Sequence, residues 1–399
     1  MDLSTSTAQP QTHPFAAPLI RRWQSISRLH RGLILLVTLR LVIALLIMLN
    51  VLVMPPQMRR GWYLHHGGDQ EIMFLLAQGI VQGQPTREVI GLGQPMVMAL
   101  FIWLTGAQDY FGIVVPLVLI NGFVLGGLSV VVLGLLTKHT TKDETTALWA
   151  AAIWAVAPLL VYLIFHSSWR WQGFYVPKIG WLNGLSDPPA AFFALLSVAI
   201  LAGLLDAPMA PSRHQWMALG LSLGAAVVFR VHLLFIVVFL VGYCLVVYGP
   251  KVLLWIGIGG LLAYLPQAIY NLVVFQTPFT TGYLSAAASS DTTVSEVLTT
   301  LPFHPKHLLD LWALQIAPHP VVIIGLLVIS AAVVMSTVSL WKRRGWKEAA
   351  LLVGAPLSYL LPMLTAWPVV LDPIRFSLPA IPFLIAVVAY SVARLRQML

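Results

Sequence analysis

Apolar runs recur along the whole chain, and shorter polar segments separate them. A run of about 18 or more apolar residues is typical of a transmembrane helix. Shorter apolar stretches, above all Gln94–Leu104, predict juxtamembrane or re-entrant helices after the first span. The pattern therefore predicts an all-α polytopic membrane protein. About ten spans are expected, at Leu33–Val53, Gly112–Leu136, Thr146–Phe165, Asp187–Leu205, Trp216–Phe229, Val231–Tyr248, Val252–Leu272, His319–Trp341, Ala349–Ala366 and Ile374–Val392.

The basic residues give these spans an orientation. With the N-terminus in the cytoplasm, 14 of the 23 Lys and Arg residues lie inside with five acids, and eight lie outside with nine acids. Such a bias is what the positive-inside rule requires. We therefore expect cytoplasmic tails at 1–32 and 394–399 and one transmembrane domain at 33–393, in a plasma (inner) membrane. The longer connections 54–111, 166–186 and 273–318 then face outward. Arg40, within the first span, is predicted to reach the inner interface with its side chain.

Composition narrows the class of protein further. The chain is 59% hydrophobic and only 9% charged, which excludes an ordinary soluble domain. The net charge of +9 is explained by topology signals and anionic lipid, so the bilayer and not nucleic acid is the expected partner. Cys244 is the single cysteine, which excludes a disulfide framework and a cysteine metal site.

The first outer connection contains the stretch YLHHGGDQEIMFLLAQGIVQG, which begins at Tyr63. Asp69 and Glu71 stand at the start of a predicted helix, where a carboxylate can cap the helix or complement its dipole. The same position fixes a carboxylate rigidly enough to act as a base. His65 and His66 could join Asp69 around a divalent cation. Adjacent histidines do not readily share one ion, so no metal ligand is assigned.

Three charged residues lie at the predicted outer ends of spans. Asp187 either caps its helix or supplies a second acid to an outer site. Arg230 and Arg375 are suited to bind an anion through their planar guanidinium groups. Aromatic residues of the second outer connection are predicted to form an interfacial belt, with a minority available to stack on a bound ligand: Trp169, Trp171, Phe174, Tyr175 and Trp181.

Several motifs follow one another in a suggestive order. An acidic motif in the stretch Asp69–Phe74 opens a helix of the form acid-x-x-aromatic, with Glu71 three residues before Phe74, and the Pro-led segment GLGQPMVMALFIWLTG follows. Further along come WAVAPLLVYLIFHSS, LSDPPAAFFALLSVAIL, LGLSLGAAVVFRVHLLFIVV, YNLVVFQTPFTTGY and DPIRFSLPAIPFLIAVVAYSV. In this order the motifs resemble the GT-C superfamily of polyprenyl-phosphate-sugar glycosyltransferases, specifically its dolichyl-phosphate-mannose–protein mannosyltransferase-like group and bacterial relatives. The resemblance extends from about Leu33 to the C-terminus.

This resemblance implies a GT-C-like fold and an inverting membrane glycosyltransferase. The donor would be a polyprenyl-phosphate-linked sugar, the site would lie at the outer face, and a divalent cation is the one cofactor to consider. Asp69 is the first candidate for the catalytic base and Glu71 the second. The family often has adjacent Asp-Glu where this chain has Asp-Gln-Glu, so either acid could align with the family's catalytic carboxylate, depending on the register of Phe74. Arg230 and Arg375 would bind the donor phosphate. Candidates for further substrate contacts are Asp187, Tyr283 and His66.

Two other functions compete with the transferase. A non-catalytic subunit with the GT-C fold is compatible with the split acid motif. A lipid or sugar transporter would place ionisable groups and broken helices near the membrane midplane, whereas these groups are predicted at the outer ends of spans. An enzyme requires Asp69 or Glu71 to face an outer cavity that also contains a basic residue and opens toward lipid.

Overall fold

The computed structural model describes residues 26–49, 69–86, 91–164, 169–207, 209–279, 304–318, 320–366 and 372–399. Throughout these ranges the chain is helical and forms no β-strand, as the sequence predicts. The helices, numbered in chain order, are α1 Arg28–Met48, α2 Asp69–Val81, α3 Gly93–Thr105, α4 Phe111–Thr141, α5 Glu144–Ile164, α6 Trp169–Gly180, α7 Asp187–Asp206, α8 Arg213–Phe229, α9 Leu234–Tyr248, α10 Lys251–Phe275, α11 Lys306–Leu311, α12 Pro320–Arg343, α13 346–363, α14 Pro373–Ser377 and α15 Ile381–Met398.

Eight helical segments of the described chain are long and apolar enough to cross a bilayer. They are α1, α4, α5, α7, α9 with its preceding turn, α10, α12 and α15. The other two predicted spans correspond to α8, which has 17 residues, and to α13, which a π-helical stretch at Ala350–Gly354 interrupts. A multi-pass helical membrane protein is thus confirmed, while the number ten stays a prediction.

Several predicted boundaries shift. α1 begins at Arg28, within the predicted tail 1–32, and α15 continues to Met398 through most of the predicted tail 394–399. The predicted span Ile374–Val392 is divided, because the chain turns between Ser377 and Ile381 before α15 starts. The predicted outer connection 166–186 contains α6, and the predicted short helix Gln94–Leu104 is found as α3.

Helices α8 and α10 pack closely and run parallel. A Cβ placed on Gly220 would meet the Ile256 carbonyl oxygen at 2.1 Å, and one on Gly224 would meet the Gly260 carbonyl oxygen at 2.6 Å. The contacts advance in the same direction along both helices, and glycines four apart permit this backbone approach. Because α8 and α10 point in the same direction, α9, which joins them in the chain, must run in the opposite direction. The chain therefore reverses after Phe229.

Arg40 is fully buried in the middle of α1, so the prediction that it reaches the interface is wrong. Its guanidinium donates to the Trp154 carbonyl oxygen at 3.2 Å and to the Ile179 carbonyl oxygen at 2.8 Å. Pro158 in α5 has no N–H, which frees the carbonyl of Trp154 four residues earlier. Ile179 lies in the last turn of α6, where carbonyls also lack helical partners. Arg40 therefore satisfies two buried carbonyl groups.

Trp181 is buried as well, against the prediction of an interfacial belt. Its ring packs edge-on against Trp154 with centroids 5.7 Å apart. Its backbone has φ of 60°, the left-handed conformation in which a helix such as α6 commonly ends. Leu182 N–H then donates to the Pro177 carbonyl at 2.8 Å, and the chain turns sharply toward the start of α7.

Candidate active site

Two carboxylates and two guanidinium groups from four separate chain segments meet at one place. We name Asp69, Asp187, Arg230 and Arg375 the carboxylate–arginine cluster. Asp187 Oδ2 accepts from Arg230 Nη2 at 2.7 Å and from Arg375 Nε at 3.0 Å. Asp69 Oδ2 accepts from Arg375 Nη2 and lies 3.8 Å from Arg230 Nη2. Both arginines therefore face both acids.

The two acids differ in exposure. The side chain of Asp187 is 3% exposed, whereas that of Asp69 is 35% exposed. The contacts of Asp69 with the two arginines are made by Oδ2. The cluster thus has a buried end at Asp187 and an accessible end at Asp69.

A buried loop positions Asp187 at the start of α7. Gln94 Nε2 donates to the Gly184 carbonyl at 2.8 Å, and Asn121 Nδ2 donates to the Asn183 and Leu185 carbonyls at 2.9 and 3.2 Å. Asn121 lies in the π-helical stretch Leu119–Leu125 of α4, a distortion often found at functional sites. Side-chain amides thereby replace the water that these loop carbonyls would otherwise need.

The carboxylate of Asp187 does not cap α7. Ser186 occupies the capping position, and its side chain makes no capping bond. The carboxylate of Asp187 instead contacts the two arginines. Of the two roles predicted for Asp187, helix cap or second acid of an outer site, this contact agrees with the second. Asp69 is likewise the first residue of its helix, α2, and uses its carboxylate on Arg375.

Arg230 ends α8 in an extended conformation, with φ of −149° and ψ of 109°. A 3-10 turn at Val231–Leu233 follows and leads into α9. Only 7% of the Arg230 side chain is exposed, which excludes extension to the interface. The Nε atom of Arg230 is buried and has no acceptor in the part of the chain that the structure describes. One strong donor at the cluster is therefore unused.

Arg375 is held in place by a second ion pair. Asp372 caps α14 by accepting from the Arg375 backbone N–H at 3.2 Å, and its other oxygen accepts from Lys178 Nζ. Burial lowers the pKa of Lys178 to about 8, although the neighbouring Asp372 carboxylate acts in the opposite direction. The Lys178–Asp372 pair links α6 to the helix that presents Arg375.

Aromatic rings form a wall beside both arginines. The guanidinium carbons of Arg375 and Arg230 lie 5.3 and 5.8 Å from the ring centre of Phe376. Tyr359 donates its hydroxyl to the Phe376 carbonyl at 2.7 Å, and the His232 ring lies 5.8 Å from the Tyr359 ring. Such contacts hold the guanidinium planes in a fixed direction and limit access of water.

The predicted site residues thus divide into three groups. Asp69, Asp187, Arg230 and Arg375 come together. Glu71 is exposed on α2 and makes no ion pair with any described residue. Tyr283 and His66 lie outside the described residues.

The sequence analysis did not single out Lys178 or Asp372 as a site residue, although Asp372 opens the motif DPIRFSLPAIPFLIAVVAYSV. Lys178 belongs to none of the quoted motifs. The available signal was weaker: both lie at the predicted outer side, and Asp372 precedes Pro373 in the pattern of a helix start.

No family model, curated protein or solved structure matches this chain. The chemistry of the site must therefore be argued from its own geometry.

The carboxylate–arginine cluster carries no surplus positive charge, because its two acids and two arginines compensate each other, and so do Lys178 and Asp372. A guanidinium group recognises a phosphate through parallel hydrogen bonds, and Arg230 Nε is a further donor that is buried from solvent. The partly exposed carboxylate of Asp69 lies at the same place, and a carboxylate can accept a proton.

Proposed function

We propose that this protein is a membrane glycosyltransferase that moves a sugar from a polyprenyl-phosphate donor to an acceptor hydroxyl at the outer membrane face. The protein would have the GT-C fold and reside in a plasma (inner) membrane with both termini in the cytoplasm. The supporting observation is that Asp69, the first candidate for the base, lies in one cluster with Arg230 and Arg375, the candidates for phosphate binding.

In the proposed reaction, the acceptor oxygen forms a bond to the anomeric carbon of the donor sugar. The bond between that carbon and the phosphate oxygen breaks, and the electron pair leaves with the polyprenyl phosphate. Asp69 takes the proton of the acceptor hydroxyl. Attack opposite to the leaving phosphate inverts the anomeric centre, and one carboxylate suffices because phosphate departs without protonation.

The arginines would stabilise the charge that grows on the phosphate as it leaves. A preorganised cation contributes most when it is buried and already oriented. Arg230 and Arg375 meet this condition, since Asp187 and the ring of Phe376 hold both groups before any substrate arrives. Asp187 is thus a positioning residue, and its burial removes it from direct contact with the acceptor.

The competing functions make different use of the same residues. In a transporter, a buried charge such as Arg40 would belong to the transport path, but both terminal guanidinium nitrogens of Arg40 donate to carbonyls that have no helical partner, and its Nε alone lacks an acceptor among the described residues. In a non-catalytic subunit, the cluster would serve only to join α2, α7, α8 and α14. That alternative predicts no turnover with any donor.

The proposal is tested with purified protein in lipid nanodiscs, a panel of labelled polyprenyl-phosphate sugars and a membrane extract as the source of acceptor. We expect the labelled sugar of one donor to be transferred to an acceptor in the extract, with polyprenyl phosphate as the second product. Asp69→Asn serves as the matched protein, with transfer expected to be about 100-fold lower. Absence of transfer from every donor, by protein that is shown to be folded, would favour the non-catalytic subunit.

A further inference from the structure

A second polar site lies at the end of the helical bundle opposite to the carboxylate–arginine cluster. Helix α7 joins the two ends, with Asp187 at its start and Asp206 at its last residue. Twenty residues of helix place these ends about 30 Å apart. Asp206 pairs with His139 at 2.9 Å and also with Lys142, which follows the last turn of α4.

An open recess of about 390 Å³ lies at this end. Three arginines from two segments line it: Arg343 and Arg344 at the end of α12, and Arg394 on α15. Thr141 and Asp143 form its other side. The recess is therefore shaped by three helix ends that meet, and positive charge dominates its lining.

None of these three arginines makes an ion pair with a carboxylate among the described residues. Arg394 donates to Gln397, an uncharged neighbour on its own helix. The one acid in the lining is already engaged, because Asp143 accepts from Thr145 N–H at 2.9 Å and from the Thr146 hydroxyl at 2.5 Å. Asp143 keeps its negative charge in these hydrogen bonds, so three guanidinium groups face a single carboxylate in the lining and positive charge is left in excess.

Arg344 also acts on Lys142, which follows α4. Burial first, and then the charge of Arg344, lower the pKa of Lys142, while the carboxylate of Glu348 raises it. Topology signals alone require basic residues near the membrane, but they do not require three of them to line one recess. Basic pockets between the ends of transmembrane helices are suited to the phosphate groups of lipids.

We propose that this recess binds a phosphate group, held by Arg343, Arg344 and Arg394. The phosphate belongs either to the headgroup of an anionic lipid or to a free phosphate in solution. The site is independent of the proposed transfer reaction, since it lies at the other end of α7 and shares no residue with the carboxylate–arginine cluster.

The test compares two triple variants with equal loss of charge. Arg343→Gln, Arg344→Gln and Arg394→Gln together remove the proposed ligands. The matched control combines Lys251→Gln, Lys342→Gln and Arg396→Gln, which are exposed residues absent from the lining. Each protein is reconstituted with equal amounts of phosphatidylglycerol and phosphatidylcholine, extracted in mild detergent, and analysed for retained lipid by native mass spectrometry. Size-exclusion profiles and thermal midpoints report whether each variant is folded.

Wild-type protein and the control variant are expected to retain phosphatidylglycerol over phosphatidylcholine, and the arginine variant to lose this preference by about tenfold or more. A parallel arm adds inorganic phosphate, with sodium chloride of matched ionic strength as its reference. Displacement of lipid by phosphate assigns the site to a free phosphate, and retention of lipid assigns it to a headgroup.

Equal losses in the two triple variants, or no preference in the wild-type protein, would overturn the proposal. If the arginine triple variant does not fold, the single changes Arg344→Gln and Lys342→Gln give the same comparison. Arg344→Gln is then expected to weaken retention and Lys342→Gln to leave it unchanged.

Discussion

The unequal burial of the two acids in the carboxylate–arginine cluster gives a sharp prediction about stability. Asp69→Asn and Asp187→Asn make the same chemical change beside the same two arginines. Asp187 is 3% exposed and accepts from both guanidinium groups, whereas Asp69 is 35% exposed. Loss of one partner from a buried ion pair costs about 3–5 kcal/mol, because it leaves a buried charge uncompensated. Loss of a partly exposed pair costs about 1 kcal/mol or less.

We therefore expect Asp187→Asn to destabilise the protein by about 2 kcal/mol or more relative to Asp69→Asn. The assay is thermal unfolding of each variant in identical nanodiscs, followed by tryptophan fluorescence. Glu71→Gln is the control, because Glu71 is exposed and makes no ion pair with a described residue, and its midpoint should equal that of the wild-type protein. Equal midpoints for Asp69→Asn and Asp187→Asn, or a lower one for Asp69→Asn, would refute the assignment of Asp187 as the buried anchor.

Three further predictions concern phosphate binding, pH and topology. Arg230→Ala should weaken donor binding and turnover, and Arg230→Lys should restore only part of both, since Lys lacks the planar fork; normal kinetics in Arg230→Ala with loss in Arg375→Ala would assign the phosphate to Arg375. Burial lowers the pKa of Lys178 from a usual 10.5 to about 8. Between these two pH values the folded protein therefore binds fewer protons than the unfolded chain. The contribution of Lys178 to the free energy of unfolding then rises with pH. A fall in transfer rate above about pH 8 would therefore reflect deprotonation at the site and not unfolding of the protein. Lys178→Arg should move that fall to higher pH. An unchanged pH profile in Lys178→Arg would show that Lys178 does not cause the fall. Finally, a cysteine at Gln84 on a Cys244→Ala background should react with an impermeant thiol reagent only from the outer face, and labelling from the cytoplasmic side alone would contradict the orientation.

Much of the fold could be predicted because membrane insertion imposes a strong sequence pattern. Long apolar runs have few alternatives to helix in a bilayer, where every backbone group must find a partner within the segment. The parallel contact of α8 and α10 also follows the predicted alternation of spans, in which the chain reverses at Arg230. Two of the predicted spans, at α8 and α13, form uninterrupted α-helix too short to decide from length whether they cross the membrane.

Part of the candidate site was also within reach of the sequence. The sequence predicted that all members of the carboxylate–arginine cluster lie at the outer ends of helices. Polar groups on one face of a membrane domain tend to lie near one another, because the hydrocarbon region disfavours them. The exclusion of Glu71 from the cluster follows from helix geometry, because residues two apart on a helix point in different directions. To choose between Asp69 and Glu71, one must know which side of α2 faces the cluster, and the sequence does not give this.

The errors arose from interactions between distant residues. Arg40 was expected to extend to water because a charge in hydrocarbon is costly, but the carbonyl that Pro158 frees gave it a buried partner. Trp181 was placed at the interface because its neighbours are aromatic, yet the ring of Trp154 provides a closed pocket. Lys178 and Asp372 are 194 residues apart in sequence, and no periodic pattern predicts a contact between residues so distant.

The proposed transfer reaction is tested most directly by measuring donor binding and sugar transfer separately in Asp69→Asn. Asparagine keeps an oxygen that can accept from Arg375 but cannot take the proton of the acceptor hydroxyl. We expect Asp69→Asn to fold and to bind the polyprenyl-phosphate sugar, while transfer falls by about 100-fold or more, the contribution typical of a general base. Glu71→Gln should retain the wild-type rate. Full transfer by Asp69→Asn, with loss of transfer in Glu71→Gln, would contradict the role of Asp69 and give the base to Glu71.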